Sequence, residues 1–329
     1  MNYVSLEDMV NDIRSSISEL AKHDFDLIVG IPRSGMIPAY LIGLYLNLDV
    51  TDFGSFIKNM PLQRGISRKV DGKLLYPQEA RKILLVDDSY ATGVSLKRTL
   101  NNIPDVLKER VTTFCVYSTG NNNLDLDIYL RVVKYPRVFE WNILNHGIIN
   151  DSCFDIDGVL CVDPSEEEND DGDKYRHFLL NAVPKFIPKY KIKYLVTNRL
   201  EKYRKETEQW LIKNNVEYEQ LIMLDLETKE ARQRAGVHSL HKAEFYKRSG
   251  CKLFIESDVR QAYEIMLHTG LHVYCIDNNK MYSPGYIRTL NKQPILSFSK
   301  IILWLPKIVY RKLPLSIQKK IKKIIRKRA

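Results

Sequence analysis

Ile83–Leu96, ILLVDDSYATGVSL, is an apolar run that meets an adjacent pair of carboxylates and then a loop of small residues opening a helix. Consecutive aliphatic residues bounded by turn residues predict a buried strand. A strand ending in Asp87 and Asp88 presents two carboxylates suited to a ribose 2,3-diol and its magnesium shell. The loop from Ser89 to Ser95 offers main-chain N–H groups and the Thr92 and Ser95 hydroxyls to a phosphate at a helix N-terminus. One such site holds both ends of a ribose 5-phosphate.

The same pattern recurs outward from this stretch. DLIVGIPRSG (Asp26–Gly35), KYLVTNR (Lys193–Arg199) and KLFIESD (Lys252–Asp258) are each a short apolar run closed by turn or polar residues. This predicts an α/β fold of parallel strands whose carboxyl ends carry sites. At 329 residues, 44% apolar and 27% charged, the chain is long enough for two hydrophobic cores. The segment EWNILNHGIIND, Glu140 to Asp151, separates two sets of strands and is the expected boundary. No fixed-period repeat is present. The acidic stretch PSEEENDDGD, Pro164 to Asp173, predicts a solvated loop, because like charge at that density resists packing.

The strand and loop of Ile83–Leu96 resemble the diphosphoribose-binding signature of type I phosphoribosyltransferases. The resemblance implies that Asp87 and Asp88 meet the ribose hydroxyls of 5-phosphoribosyl-1-diphosphate, with Ser89, Tyr90, Ala91, Thr92, Gly93 and Ser95 around its 5-phosphate. Upstream, DLIVGIPRSGMIPA resembles the family's diphosphate loop, with Gly30, Pro32, Arg33, Ser34 and Gly35 in a tight turn toward the leaving group. Between them, Phe53 to Arg81 carries Lys58, Arg64, Arg68, Lys69 and Lys73 where these enzymes have a catalytic lid. Transfer through an oxocarbenium-like sugar mainly requires positioning the acceptor and neutralising the diphosphate. Acceptor determinants are expected in Met1–Asp26 and Tyr135–Asn145, where Trp141 either stacks on an acceptor ring or packs at the domain boundary.

A second carboxylate pair lies in CFDIDGVLC (Cys153–Cys161), where Asp155 and Asp157 flank one residue before Gly158. Placed at a strand end that finishes in a turn, both can reach one cation. This resembles the DxDG pattern of haloacid-dehalogenase-type phosphatases, and the order continues through Thr197 and Asn198, Lys242 in HSLHKAEFY, and Glu256 with Asp258. The resemblance implies Asp155 as nucleophile, Asp157 as general acid then base, Thr197 on the phosphoryl oxygens and Lys242 balancing the nucleophile's charge. Magnesium would be held by Asp155, Asp157 and Glu256 or Asp258. Only Val162 to Lys191 separates the first motif from the next strand, which leaves little room for a cap domain.

The net charge of +10 resides at one end of the sequence. Beyond Asp277 there are fourteen Lys and Arg and no Asp or Glu, so the preceding residues are net acidic. LPLSIQKKIKKIIRKRA, Leu313 to Ala329, places Leu313, Ile317, Ile321, Ile324 and Ile325 on one helical face and cations on the other. This predicts a basic amphipathic helix on a membrane surface, with Trp304 and Tyr310 upstream suited to the interface. A helix packed on the preceding domain is the alternative, and no nucleic-acid partner is expected. The N-terminus lacks the pattern of a secretory signal, and no apolar run reaches the ~18 residues needed to span a bilayer. The cysteines, Cys115, Cys153, Cys161, Cys251 and Cys275, lack disulfide or zinc spacing and are expected to be reduced, cytosolic core residues.

The expected architecture is two Rossmann-like α/β domains with mostly parallel sheets and a helical tail. A type I phosphoribosyltransferase domain spans 1–147, a haloacid-dehalogenase-type domain with minimal cap 148–290, and the tail 291–329. The expected function is transfer of 5-phosphoribose to a glycan hydroxyl, most naturally a lipid-linked capsule or O-antigen intermediate, followed by removal of the 5-phosphate, with magnesium at both sites. Such proteins resemble the ribofuranose-adding enzymes of bacterial polysaccharide assembly, which implies a cytoplasmic protein peripheral on the inner membrane face. A nucleobase phosphoribosyltransferase joined to a nucleotidase is the alternative enzyme, and a non-catalytic diphosphoribose sensor the alternative class.

Overall fold

A computed structural model describes residues 1–65, 74–120, 126–226 and 238–285. Contacts divide the chain into two compact units, one from Met1 to Ile143 and one beginning at Leu144. The tail read as amphipathic and the lid residues Arg68, Lys69 and Lys73 lie outside the described residues.

The first unit runs β1 (Asn2–Val4), α1 (Leu6–Leu20), β2 (Leu27–Gly30), α2 (Met36–Leu46), β3 (Asp49–Asp52), α3 (Phe53–Ile57), β4 (Ile83–Tyr90), α4 (Val94–Asn101), α5 (Asp105–Lys108), β5 (Val111–Ser118), β6 (Ile128–Val132) and β7 (Arg137–Phe139). Its main sheet has the order β3-β2-β4-β5-β6 with every pair parallel, and β1 pairs with β7 alongside. β4 is buried from Ile83 to Asp88, as a strand covered on both faces must be. α1 starts where Ser5 and Asp8 cap each other and turns Met9, Ile13 and Leu20 into the core. From β2 the chain moves outward to β3, and from β4 it moves the opposite way. The switch point therefore lies between β2 and β4, the place where such sheets open a crevice beyond their carboxyl ends.

The second unit repeats this logic with β8 (Ser152–Phe154), α6 (Asp173–Asn181), β9 (Ile192–Leu200), α7 (Arg204–Lys213), β10 (Tyr218–Leu224), α8 (His238–Ser249), β11 (Leu253–Glu256), α9 (Val259–Thr269), β12 (His272–Cys275) and β13 (Lys280–Tyr282). The sheet order is β10-β9-β8-β11-β12-β13, parallel except for β13. β8 is central, and the chain leaves it for β9 on one side and later returns to β11 on the other. Between β8 and β9 the one helix is α6. The acidic loop before it is largely exposed, yet Asp170 accepts the Gly172 and Tyr175 N–H groups and Asp171 pairs with Lys202 and Tyr203, so part of it anchors α6. The five cysteines are all free and buried.

Two strand boundaries differ from expectation. β4 continues past Asp88 to Tyr90, and β9 past Asn198 to Leu200, because the ladder pairs Ser89 and Tyr90 with β5 and Leu200 with β10. Main-chain pairing sets the end of a strand, and polar side chains at the rim do not interrupt it.

Candidate active sites

In the first unit, Gly30 ends β2 and the chain turns through Ile31–Gly35 into α2. The Ile31 N–H donates to the Val86 carbonyl at 2.8 Å, so the turn is tied to β4 just before its carboxylates. The peptide between Pro32 and Arg33 is cis. Gly35 sits so close to β4 that a Cβ there would lie 2.6 Å from the Ile31 carbonyl oxygen and 2.7 Å from that of Val86. Arg33 is exposed.

Asp87 and Asp88 are nearly buried, at 9% and 6% exposure. Both oxygens of Asp88 are engaged: Ser34 Oγ donates to one at 2.9 Å and Trp141 Nε1 to the other at 2.7 Å. The Asp88 N–H donates to Asp87 Oδ1 at 2.9 Å. Burial, reinforced by repulsion from Asp88, pushes the Asp87 carboxyl up to about 8. Trp141 packs on Phe139, with ring centroids 4.7 Å apart, and on Tyr117 at 6.2 Å. Of the two expectations for Trp141, packing is realised within the first unit, and it brings a hydrogen bond that composition alone does not reveal.

Beyond β4, Ala91, Thr92 and Gly93 turn the chain into α4, and Thr119 Oγ1 steadies the turn by donating to the Ala91 carbonyl at 3.3 Å. Gly93 has φ +77°, and a Cβ there would also meet the Tyr90 hydroxyl at 2.4 Å. Thr92 and Ser95 are exposed, at the start of a helix whose first N–H groups have no partner within it. Arg137 is buried beside this turn, donates to the Tyr90 carbonyl at 3.1 Å and stacks over Phe139. Of the expected lid cations, Arg64 is held by Asp49 and the Leu74 carbonyl.

In the second unit, Asp155 follows β8 and its N–H donates to the Ile255 carbonyl at 3.0 Å, which seats it beside β11. Its Oδ1 accepts the Ile156 N–H at 2.8 Å and its Oδ2 accepts Lys242 Nζ at 2.6 Å. The same ammonium donates to Glu256 at 2.7 Å and to Gln261 at 3.0 Å, and Gln261 in turn accepts from Asn198 at 3.1 Å. Lys242 and Glu256 are fully buried; burial raises the Glu256 carboxyl to about 8 despite the lysine. Thr197 is buried on β9, the strand next to β8. Gly158, at φ +74°, makes the turn that brings its neighbour Asp157 against Ser257, whose hydroxyl donates to the Asp157 carbonyl at 3.3 Å.

The structure thus joins Asp155, Lys242 and Glu256. The Asp157 carboxylate faces Arg199, which donates at 2.6 Å and 3.1 Å to its two oxygens. Asp258 caps α9 by accepting the Gln261 N–H at 2.7 Å. Among the described residues, no three Asp, Glu, His or Cys side chains converge as a metal-ligand group. In this arrangement Lys242 donates to Asp155 and Glu256, Arg199 to Asp157, and Asp258 accepts from a helix terminus.

A phosphoribosyltransferase is similar in sequence to part of the chain. The orotate phosphoribosyltransferase of Staphylothermus marinus is 32% identical over 102 residues, 31% of this chain and 45% of the relative, so the chain spans less than half of that protein's length. Among solved structures, a purine phosphoribosyltransferase from Pyrococcus horikoshii aligns with 43% of this chain and 95% of its own, at 20% identity and TM-score 0.31. The xanthine-guanine-hypoxanthine phosphoribosyltransferase of Helicobacter pylori aligns with 43% and 92%, at 17% identity and TM-score 0.32. No family profile matches the chain.

Sequence reasoning missed Arg199, Gln261 and Arg137. Arg199 had a signal: strand alternation puts it on the same face as Thr197. Gln261 and Arg137 had none, because their partners are distant in sequence.

Proposed function

We propose that this chain transfers 5-phosphoribose from 5-phosphoribosyl-1-diphosphate to a hydroxyl acceptor in its first domain and hydrolyses the 5-phosphate in its second. The observation that carries the proposal is the pairing of two buried carboxylate sites at the carboxyl ends of two parallel sheets. One is fastened to a Gly-Ile-Pro-Arg-Ser-Gly turn and followed by a phosphate-type loop, and the other is bridged by a buried lysine. The sequence similarity to an orotate phosphoribosyltransferase supports the first step. The domains are taken as 1–147 and 148–290, with 291–329 as a membrane-surface tail.

In the first site, Asp87 and Asp88 would take the ribose diol together with the donor's magnesium. Arg33 and the amides of the following turn would face the diphosphate, and Ala91–Ser95 the 5-phosphate. In the second, Asp155 would attack phosphorus while Asp157 moves the proton. Hard carboxylate oxygens suit magnesium, and Asp155 with Glu256 or Asp258 would hold it, supplying charge neutralisation for the phosphoryl group. With a single helix between β8 and β9, the site would leave room for a large substrate. A lipid-linked glycan acceptor fits that openness and the basic tail, and the product would carry a ribofuranosyl group. Similarity to an orotate phosphoribosyltransferase favours a second reading, in which the acceptor is a nucleobase. Donor consumption measured against glycan and base acceptors, with phosphate release followed in parallel, separates the two. Turnover with bases alone would end the glycan reading, and no turnover with any acceptor would end both.

Two expectations follow here. Asp87 holds its proton up to about 8, so a donor that needs the carboxylate must displace that proton. Donor affinity should rise with pH until about 8 and then level off, with net proton release near neutrality. Calorimetry in two buffers of different ionisation enthalpy measures this, and proton uptake would contradict it. For the tail, deletion of residues 313–329 should lower cosedimentation with anionic vesicles while soluble turnover persists, since each basic residue near such a surface adds ~1 kcal/mol. Unchanged sedimentation would remove the membrane assignment.

A further inference from the structure

Arg199 stands out among the buried charges because sequence reasoning gives it no role and its geometry gives it one partner of consequence. The side chain is 1% exposed and reaches Asp157 through Nε at 3.1 Å and 3.2 Å and through Nη2 at 2.6 Å. It also donates to Cys161 Sγ at 3.4 Å and to Thr207 Oγ1 at 3.4 Å, both neutral. A planar guanidinium gripping a carboxylate through two nitrogens fixes the orientation of that carboxylate as a single lysine contact does not. The two acids of the DxD pair thus have separate cations, with Lys242 on Asp155 and Arg199 on Asp157.

We propose that Arg199 is the positioning residue that aims Asp157 for proton transfer in the phosphatase site. The inference rests on the phosphatase reading above. In the first half-reaction the bond from phosphorus to the leaving oxygen breaks as Asp155 bonds to phosphorus, and Asp157 gives its proton to the departing alkoxide. In the second, water attacks the aspartyl phosphate and returns a proton to Asp157, releasing inorganic phosphate and restoring Asp155. Arg199 touches neither phosphorus nor the leaving group; it sets where the Asp157 oxygens lie during both transfers.

Leaving groups distinguish this from a merely structural role. An alkyl alkoxide must be protonated as it departs, whereas p-nitrophenolate departs unassisted. The full-length protein carrying Arg199→Gln or Arg199→Lys should lose ~100-fold of its kcat on ribose 5-phosphate but only a few-fold on p-nitrophenyl phosphate, the scale on which a positioned acid acts. Asp157→Asn should show the same bias. The ratio of the two rates does not depend on how much protein is folded, so it stays readable if Arg199→Gln is unstable, and Arg199→Lys keeps a buried cation in place. Equal losses on both substrates would overturn the role of Arg199 alone. A wild-type protein that hydrolyses neither substrate would overturn the phosphatase reading and this inference with it.

Discussion

Asp155→Asn is expected to abolish phosphate release while leaving phosphoribosyl transfer intact, so that a product heavier by one phosphoryl group accumulates. The asparagine keeps the shape and can still accept the Ile156 N–H, but it cannot form the aspartyl phosphate. Loss of a nucleophile lowers turnover by at least ~10³-fold. Lys242 retains Glu256 and Gln261 as partners, so the variant should fold. Mass spectrometry of the product tests the idea directly. An unphosphorylated product from this variant would break the two-step scheme, because the second site would then not be the one that removes the phosphate.

Gly35→Ala should have the largest effect on the first site. The added methyl meets main-chain atoms on both sides, the Ile31 and Val86 carbonyl oxygens and the Asp87 Cα, and none of these is the free end of a side chain. Either β4 or the turn must shift. Overpacking of this kind costs about 1–3 kcal/mol, and the displaced turn carries Ser34 away from Asp88. Donor affinity should fall at least ~10-fold, in line with that cost, and thermal unfolding of the unit should move down by several degrees. Binding and melting unchanged from wild type would show that the close approach of turn and strand is unimportant. Ser34→Ala, which removes only the hydroxyl, should produce a smaller loss of binding with little change in melting.

The strands were legible because burial on both faces demands uninterrupted apolar runs, and LLV and LFI leave no alternative. The positions of the two carboxylate pairs followed from the same runs. What could not be read was the pairing of charges. Lys242 meets Asp155 across 87 positions and Glu256 across 14, and such contacts depend on how helices pack over the sheet. A motif shows which acids are present without showing which cations lie beside them. Trp141 was similarly ambiguous: an indole near a boundary has an apolar body and a polar edge, and only the fold reveals that the edge points at Asp88.

The Trp141 indole also makes the first site spectroscopically visible. Its N–H is bound to a carboxylate that the donor would recruit, so occupancy should change the polarity the excited ring experiences and shift its emission. Trp210, in the other unit, is sealed at 1% exposure with its N–H on the Ala182 carbonyl, and it contributes a steady background. With the third tryptophan, Trp304, replaced by Phe, a fluorescence titration would report filling of one pocket while colorimetric phosphate release reports the other, in the same cuvette.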